Sequence, residues 1–303
     1  MYSLWFVLLI ILSGVINLIV LVIMALRLKV LYSMSGARAG LMKICNAMII
    51  ASTTNSIAPY GTGNLIVRPL ILKKTSNLPY EKSLTINIIE YVLEIIVGAI
   101  AIIICIYFIG SIYLSPSYLI LSFSALILLF AIFYIKKSVI LTERLLNFTS
   151  WLPGRLKNFL RKKKIIKKRD IVNAISIIQN SRNKGRNILI IFSLSVLILI
   201  ILPFSLLVFF EAFEVTVNYF QVFIIFWLPF LAGRFLQTPG GIGVRDVGMI
   251  YLLTYFGVPP LDATTATILF RLFTIVFISC FGIAASFKTG FNILKLRKSR
   301  KIS

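Results

Sequence analysis

The sequence contains no histidine, and its only cysteines are Cys45, Cys105 and Cys280 among 303 residues. The cysteines are scattered through apolar stretches and have neither the spacing of metal ligands nor that of a disulfide framework. Histidine and paired cysteines are the usual ligands of zinc and haem, so no such centre is expected and no cofactor is predicted. A nucleotide-binding loop is also missing, which argues against direct use of ATP.

Acidic residues are scarce as well. The chain has 9 Asp+Glu against 32 Lys+Arg, a net charge of +23. Most basic residues lie between or after long apolar runs, which is the distribution of cytoplasmic loops in membrane proteins. The sequence carries no recognisable nucleic-acid-binding module, so no nucleic-acid partner is predicted.

Apolar residues are abundant and make up 59% of the chain. Several apolar runs exceed about 18 residues, enough to cross a bilayer as helices and too continuous for the strands of a membrane barrel. We therefore predict an all-α fold, a polytopic transmembrane helical bundle. The long runs cover 3–26, 41–58, 84–114, 118–135, 188–210, 215–236 and 263–287, and shorter ones cover 65–72 and 244–256.

The basic blocks predict the orientation of the chain in a cell membrane. Segments 27–43, 73–74, 136–186 and 288–301 are expected in the cytoplasm, whereas 110–117 and the acidic pair Glu211 and Glu214 are expected outside. A multi-pass path of about nine crossings satisfies this pattern, with the N-terminus outside and the C-terminus cytoplasmic. Segment 65–72 is too short to span about 30 Å, so it either crosses with its neighbours or is one arm of a re-entrant hairpin.

The same pattern divides the chain into parts. We predict a first membrane half over 1–135, a basic cytoplasmic connector over 136–187, a second membrane half over 188–287 and a basic cytoplasmic tail over 288–303. Within the connector, residues 170–181 have the spacing of a short amphipathic helix at the membrane surface.

One motif occurs twice, 180 residues apart. Pro59, Gly61, Gly63 and Pro79 of the first copy recur as Pro239, Gly241, Gly243 and Pro259 in the second, where Gly240 is a further candidate site residue. Proline lacks a backbone donor and glycine is too flexible, so both interrupt helices. On the predicted path the two copies run in opposite senses. This arrangement predicts inverted repeats with broken or re-entrant helices, and it places a transport site between them.

Polar and charged residues beside or within the apolar runs are the other candidates for a binding site. They are Asn55, Arg68, Glu90, Glu94, Arg234, Arg245, Asp246 and Arg271. A carboxylate within the bilayer costs at least a few kcal/mol unless it is paired or hydrated. We therefore expect the arginines and the acids to meet in one polar cavity between the halves. Glu90 and Glu94 are four residues apart and share one face of a helix.

The residue types in this set indicate the ligand. Arginine binds phosphate through two parallel hydrogen bonds, and glycine motifs at helix starts add backbone donors. The expected partner is therefore a membrane lipid with a negative headgroup, either an anionic phospholipid or a polyprenyl phosphate. Structural ion pairing or snorkelling to the interface remains the alternative for Arg68 and Arg234. Asn55 is a candidate donor to the ligand, and Asn87 is predicted to make an interhelical hydrogen bond.

These residues resemble the pattern of the lysylphosphatidylglycerol synthase transmembrane (flippase-like) family. The resemblance is carried by 237–246, by Phe256-Gly-Val-Pro259 and by Phe270-Arg271, and more weakly by Asn55, Pro59, Gly63, Arg68 and Glu90. It extends from about residue 5 to residue 287. Three positions depart from it: Asn64 replaces an acid, Tyr91 replaces an arginine, and Asp246 replaces a glutamate.

The resemblance implies a flippase-like membrane module. Larger members carry an aminoacyltransferase domain that does not fit in this chain, so the chain is not expected to be an enzyme. The leading hypothesis is a translocase that moves an anionic lipid between leaflets, and whether this lipid is aminoacylated, glycosylated or unmodified stays open. The alternatives are a membrane-embedded transferase or accessory subunit acting on lipid-linked sugars, with Glu90 or Asp246 as a base, and a structural partner without turnover. The lipid, the energy source and the oligomeric state stay open, a homo-oligomer included.

Overall fold

The computed structural model describes residues 4–57, 63–110, 184–236 and 243–289. These residues form helices joined by short connectors, and no strand occurs among them, which confirms the predicted all-α fold. The helices are α1 Leu4–Met34, α2 Leu41–Ile57, α3 Arg68–Ser76, α4 Tyr80–Gly110, α5 Lys184–Ala212, α6 Tyr219–Leu236, α7 Val244–Tyr255 and α8 Pro260–Thr289, and a π-helical segment covers Gly63–Val67. The predicted run 118–135, the helix at 170–181 and the tail from 290 lie outside the described residues.

Among the described residues, three helices are long and apolar enough to cross a bilayer. These are α1, α5 and α8, with 31, 29 and 30 residues. Each exposes large apolar side chains along its length, such as Ile11, Phe192 and Val276. Exposed apolar side chains on helices of this length are the surface that lipid tails cover in a membrane protein.

Two of the predicted runs have the wrong ends. The connector predicted to begin at residue 27 is helical as far as Met34, because Leu28 and Leu31 continue the buried face of α1. The run predicted from 215 becomes helical only at Tyr219. Asn218 and Gln221 exchange two side-chain to backbone hydrogen bonds of 2.9 Å there, an arrangement that starts a helix.

The order of the helices repeats between the two halves. Helices α1 to α4 have 31, 17, 9 and 31 residues, and α5 to α8 have 29, 18, 12 and 30. The packing repeats too, since α1 lies along α5 while α2 packs on α8 and α6 packs on α4. When each helix is replaced by its counterpart in the other half, the α2–α8 contact becomes the α6–α4 contact, and the reverse. The inverted sense of this repeat stays a prediction.

Each half contributes most of one apolar core, although the first-half core also includes Ile191 of α5 and Ala285 of α8. One core joins α1 to α4 through residues such as Ile44, Ile71 and Ile86, and the other joins α5 to α8 through Phe209 and Phe226. Close helix contacts connect the halves. The Ser13 hydroxyl donates to the Ser205 carbonyl at 2.8 Å, and Gly282 of α8 lies directly against Thr53 of α2.

Candidate functional site

The π-helical segment before α3 is held in place by contacts with both α2 and α4. A Cβ on Gly63 would lie 1.9 Å from the carbonyl oxygen of Ala51, so only glycine permits this approach to α2. The Gly63 amide also donates to Oδ1 of Asn55 at 2.7 Å. These two predicted site residues therefore hold the π-helical segment on α2. The prediction that Asn55 donates to a ligand is not tested by this contact.

Asn87 of α4 holds the same segment from the opposite direction. Its side-chain amide donates to the Asn64 carbonyl at 2.8 Å, which satisfies a backbone group in the irregular turn. The Tyr32 hydroxyl of α1 donates to Oδ1 of Asn87 at 3.2 Å. The predicted interhelical hydrogen bond of Asn87 is thereby confirmed. Arg68 donates to Oδ1 of Asn64 at 2.7 Å, so the first residue of α3 is bonded to the π-helical segment that precedes it.

The buried charges of the first half form an arginine–glutamate cluster of Arg27, Arg68, Glu90 and Glu94. Arg68 donates to Glu90, and Arg27 lies 3.0 Å from a Glu90 oxygen and 2.7 Å from a Glu94 oxygen. Arg27 also donates to the Ser195 hydroxyl of α5 at 3.3 Å. Two cations face two anions, so this cluster is balanced in charge. It ties α1, α3, α4 and α5 together.

Sequence analysis missed the role of Arg27. It placed this residue in a cytoplasmic connector, and that placement is wrong because Arg27 lies within α1 and is only 1% exposed. Two signals could have identified it. First, the apolar pattern of the helix continues after Arg27 with Leu28. Second, Glu90 and Glu94 lie on one helix face and require cationic partners, and the neighbouring Tyr91 carries no positive charge.

The second half contains a different set of charges, the α7–α8 charged set of Arg245, Asp246 and Arg271. Asp246 lies in the first turn of α7, and one of its oxygens accepts the Gly243 amide at 3.1 Å. Its other oxygen lies 2.7 Å from Nε of Arg271 on α8. The Arg245 guanidinium lies 5.1 and 5.3 Å from the ring centres of Phe226 and Phe230, a cation–π geometry on α6.

Comparison with known proteins identifies the family. The family described as "Lysylphosphatidylglycerol synthase TM region" matches residues 1–282. The chain belongs to this family. It is therefore a membrane protein, as its apolar helices indicate.

Two curated relatives are similar to the chain. A UPF0104 membrane protein of Methanothermobacter thermautotrophicus is 31% identical over 143 residues, which cover 46% of this chain and 42% of that protein. A UPF0104 membrane protein of Methanocaldococcus jannaschii is 24% identical over 281 residues, which cover 91% of this chain and 83% of that protein. The chain thus spans less than half of the first relative and most of the second. No solved structure matches the chain.

In this member of the lysylphosphatidylglycerol synthase TM region family, the short helix of each half forms an ion pair with the long helix that follows it. The charges of the two partners are reversed between the halves. Arg68 of α3 meets Glu90 of α4, and Asp246 of α7 meets Arg271 of α8. Their environments differ. The Arg68–Glu90 pair is buried, whereas the side chains of Arg271 and Asp246 are 11% and 23% exposed. The second pair is therefore the more exposed of the two.

The remaining predicted site residues are described only in part. Arg234 lies in the last turn of α6. Pro59, Gly61, Pro239, Gly240 and Gly241 lie outside the described residues. The contacts above group the predicted charges into a first-half cluster and a second-half set. Whether both sets line one cavity stays a prediction.

Proposed function

We propose that this protein is a lipid translocase that moves an anionic phospholipid or a polyprenyl phosphate between the leaflets of the cell membrane. Its family is named for the membrane region of a synthase whose product is a phospholipid. Glycine and proline motifs at matched places in the two halves and charges within a bundle of apolar helices are typical of transport sites. The N-terminus outside and the C-terminus in the cytoplasm are part of this proposal.

One observation carries the assignment of the headgroup site, namely the different burial of the two ion pairs. The Arg68–Glu90 pair lies in a cluster with Arg27 and Glu94, so an added anion there would have to enter a buried place. In the α7–α8 charged set, the side chains of Arg271 and Asp246 are 11% and 23% exposed. The second set is therefore the better candidate for a lipid phosphate.

The second set also has suitable chemistry for a lipid phosphate. Arg245 and Arg271 can each present a planar fork of donors to phosphate oxygens. Arg245 lies in the first turn of α7, shortly after Gly243, and Arg271 lies on α8. We therefore assign Arg245 and Arg271 to the headgroup, with Arg234 of the same half as a further candidate. We assign Arg68, Glu90 and Glu94 to holding the first helix break.

A leaflet-exchange assay tests the proposal. The purified protein is placed in phosphatidylcholine vesicles with a trace of fluorescent phosphatidylglycerol, and a membrane-impermeant reductant then bleaches the label in the outer leaflet. We expect the bleached fraction to rise from about half toward completeness in protein-containing vesicles, because inner-leaflet lipid becomes accessible. Fluorescent phosphatidylcholine serves as the comparison and is expected to exchange more slowly. Equal rates with and without protein would contradict translocation.

We further propose that lipid movement involves no covalent chemistry by this chain. Mass spectrometry of the lipids recovered after the assay should show the input species unchanged. Formation of a new lipid on incubation with a polyprenyl-phosphate sugar would instead support the transferase alternative.

A further inference from the structure

We propose that the Asp246 carboxylate is a resident substitute for the lipid headgroup. In the absence of lipid it occupies Arg271 and holds the first turn of α7 against α8. An arriving anionic headgroup takes its place on Arg271 and releases that turn. The inference rests on the proposed function, and it adds how the site is closed and what opens it.

The two oxygens of Asp246 have separate partners. One accepts the Gly243 amide at 3.1 Å, and the other lies 2.7 Å from Nε of Arg271. The carboxylate therefore links the start of α7 to α8 through its ion pair with Arg271. A phosphodiester offers Arg271 the same charge and more acceptor oxygens, so it can replace the carboxylate without leaving the guanidinium unpaired.

The charges near this ion pair favour replacement by an anion. Arg245 adds a second cation at the start of α7, held over Phe226 and Phe230 of α6. A phosphodiester that binds between Arg245 and Arg271 gains the attraction of both. Asp246 leaves Arg271 for a position where it is still close to the positive end of the α7 dipole, which stabilises the displaced carboxylate.

The backbone around α7 permits its first turn to move. Gly243 before the helix and Gly257 after it have φ angles of +88° and +93°, and an added Cβ on either would meet nothing within 4 Å. Val247, Tyr251 and Tyr255 expose about two thirds of their surface on one face of α7. The outer face of the helix is thus exposed, and a side chain at either flanking glycine would meet none of the described residues.

The rest of α7 is held in place. A Cβ on Gly248 would lie 3.0 Å from Pro229 of α6, so the two helices touch at this residue. Met249 and Leu253 are completely buried in the second-half core. Motion is therefore expected in the first turn, before Gly248, and not in the remainder of the helix.

The corresponding short helix of the first half lacks these features. Gly63 before α3 is packed against the backbone of α2, and Asn55 and Asn87 form hydrogen bonds with the same π-helical segment. Arg68 shares Glu90 with Arg27 inside a buried cluster. The release is accordingly assigned to α7 alone, and α3 serves as the internal comparison.

Spin-label mobility tests the proposal with the whole chain in vesicles. Val247→Cys places the label on the exposed first turn, and Tyr255→Cys places a control label on the last turn, both in a background without Cys45, Cys105 and Cys280. We expect the label at 247 to be immobile in pure phosphatidylcholine and clearly more mobile when phosphatidylglycerol is added, while the label at 255 does not change. No response at 247 would overturn the proposal.

Variants of Asp246 provide an independent check. Asp246→Asn removes the competing charge, so residue 247 should already be mobile in pure phosphatidylcholine and should respond little to phosphatidylglycerol. Asp246→Glu keeps the charge and should keep the lipid response. An Asp246→Asn protein as immobile as wild type in phosphatidylcholine would contradict the idea. If this variant does not fold, the response of the label at residue 247 to phosphatidylglycerol, measured with Asp246 unchanged, still tests the proposal.

The same vesicles separate this inference from the proposed function. A lipid response at residue 247 without leaflet exchange would support the resident carboxylate and contradict translocation. Leaflet exchange without any response at residue 247 would support translocation and refute the resident carboxylate.

Discussion

At the scale of single residues, Arg27 is the side chain on which the first-half charges depend most. It contacts both Glu90 and Glu94 and is almost fully buried. Removing one partner of a buried ion pair is costly because the other charge stays behind without compensation. Glu94 would lose its partner in the cluster, and Glu90 would keep Arg68 alone.

We predict that Arg27→Ala lowers the free energy of unfolding by about 3 kcal/mol, the usual cost of breaking a buried pair. Unfolding in mixed micelles with increasing denaturing detergent measures the difference. Lys29→Ala on the same helix is the matched control, because Lys29 is exposed, and its stability should stay close to that of wild type. Equal stability of Arg27→Ala and Lys29→Ala would show that the cluster contributes little.

The sequence predicted part of this site and missed part of it for a physical reason. Glu90, Asp246 and Arg271 stand out because isolated charges in apolar runs need partners. Their partners, however, come from helices far apart in sequence, and spacing along the chain does not reveal which helices touch. Arg27 was assigned to a loop because a basic residue after a long apolar run usually ends a membrane span.

At the scale of elements, the π-helical segment before α3 depends on Asn87. This side chain satisfies the Asn64 carbonyl and links the turn to α4 and α1. The position that corresponds to it in the second half is Thr267, which is fully buried and whose hydroxyl has no hydrogen-bond partner in the described part of the chain. The two positions make a matched pair for substitution.

We predict that Asn87→Leu destabilises the protein by about 1–3 kcal/mol, because the partly buried Asn64 carbonyl loses its donor from Asn87. Hydrogen exchange of residues 63–67 should become faster. Thr267→Val removes an unused hydroxyl at nearly constant volume and should be neutral or slightly stabilising. Slow exchange at 63–67 in Asn87→Leu would mean that other contacts hold the segment.

The contact between α2 and α8 depends on a missing side chain. A Cβ on Gly282 would lie 1.9 Å from the Thr53 hydroxyl oxygen and 2.8 Å from its Cβ. We predict that Gly282→Ala costs about 1–3 kcal/mol of stability through overpacking, and that adding Thr53→Ala restores part of it. Gly185→Ala near the start of α5 is the control, since a Cβ there meets nothing within 4 Å. A Gly282→Ala protein with the same free energy of unfolding as the wild type would contradict this close approach.

Helix existence was easier to predict from the sequence than helix ends. The long apolar runs predicted α1, α2, α4, α5, α6 and α8, because a membrane span is long and continuous in sequence, and the two shorter runs indicated α3 and α7. Their ends depend on local contacts that hydropathy does not report. The start of α6 is set by the side chains of Asn218 and Gln221, and the end of α1 by the burial of Leu28 and Leu31.

At the scale of the whole molecule, the two halves repeat in helix order, in helix length and in the contacts between them. The connector after α1, residues 35–40, then corresponds to the connector after α5, residues 213–218. An inverted repeat requires these matching connectors to lie on opposite sides of the membrane. The charge pattern predicts the same, with Arg38 inside and Glu214 outside.

Cysteine labelling in intact cells tests this inversion. In a background without native cysteines, Glu214→Cys should react with a membrane-impermeant maleimide added outside, because its connector is predicted to face that side. Arg38→Cys should react only after permeabilisation. Labelling of both residues from the same side would rule out an inverted repeat.

The most direct test of the central claim, that paired charges at the helix breaks move an anionic lipid, is the leaflet-exchange rate of the Arg271→Ala, Glu90→Gln double variant. The Lys29→Ala protein, reconstituted at the same density, is the control for exchange. We predict that the double variant loses at least about nine tenths of the protein-dependent exchange of phosphatidylglycerol, since an arginine–phosphate contact is worth well over 1.4 kcal/mol. A folded double variant that exchanges phosphatidylglycerol at the wild-type rate would contradict the account.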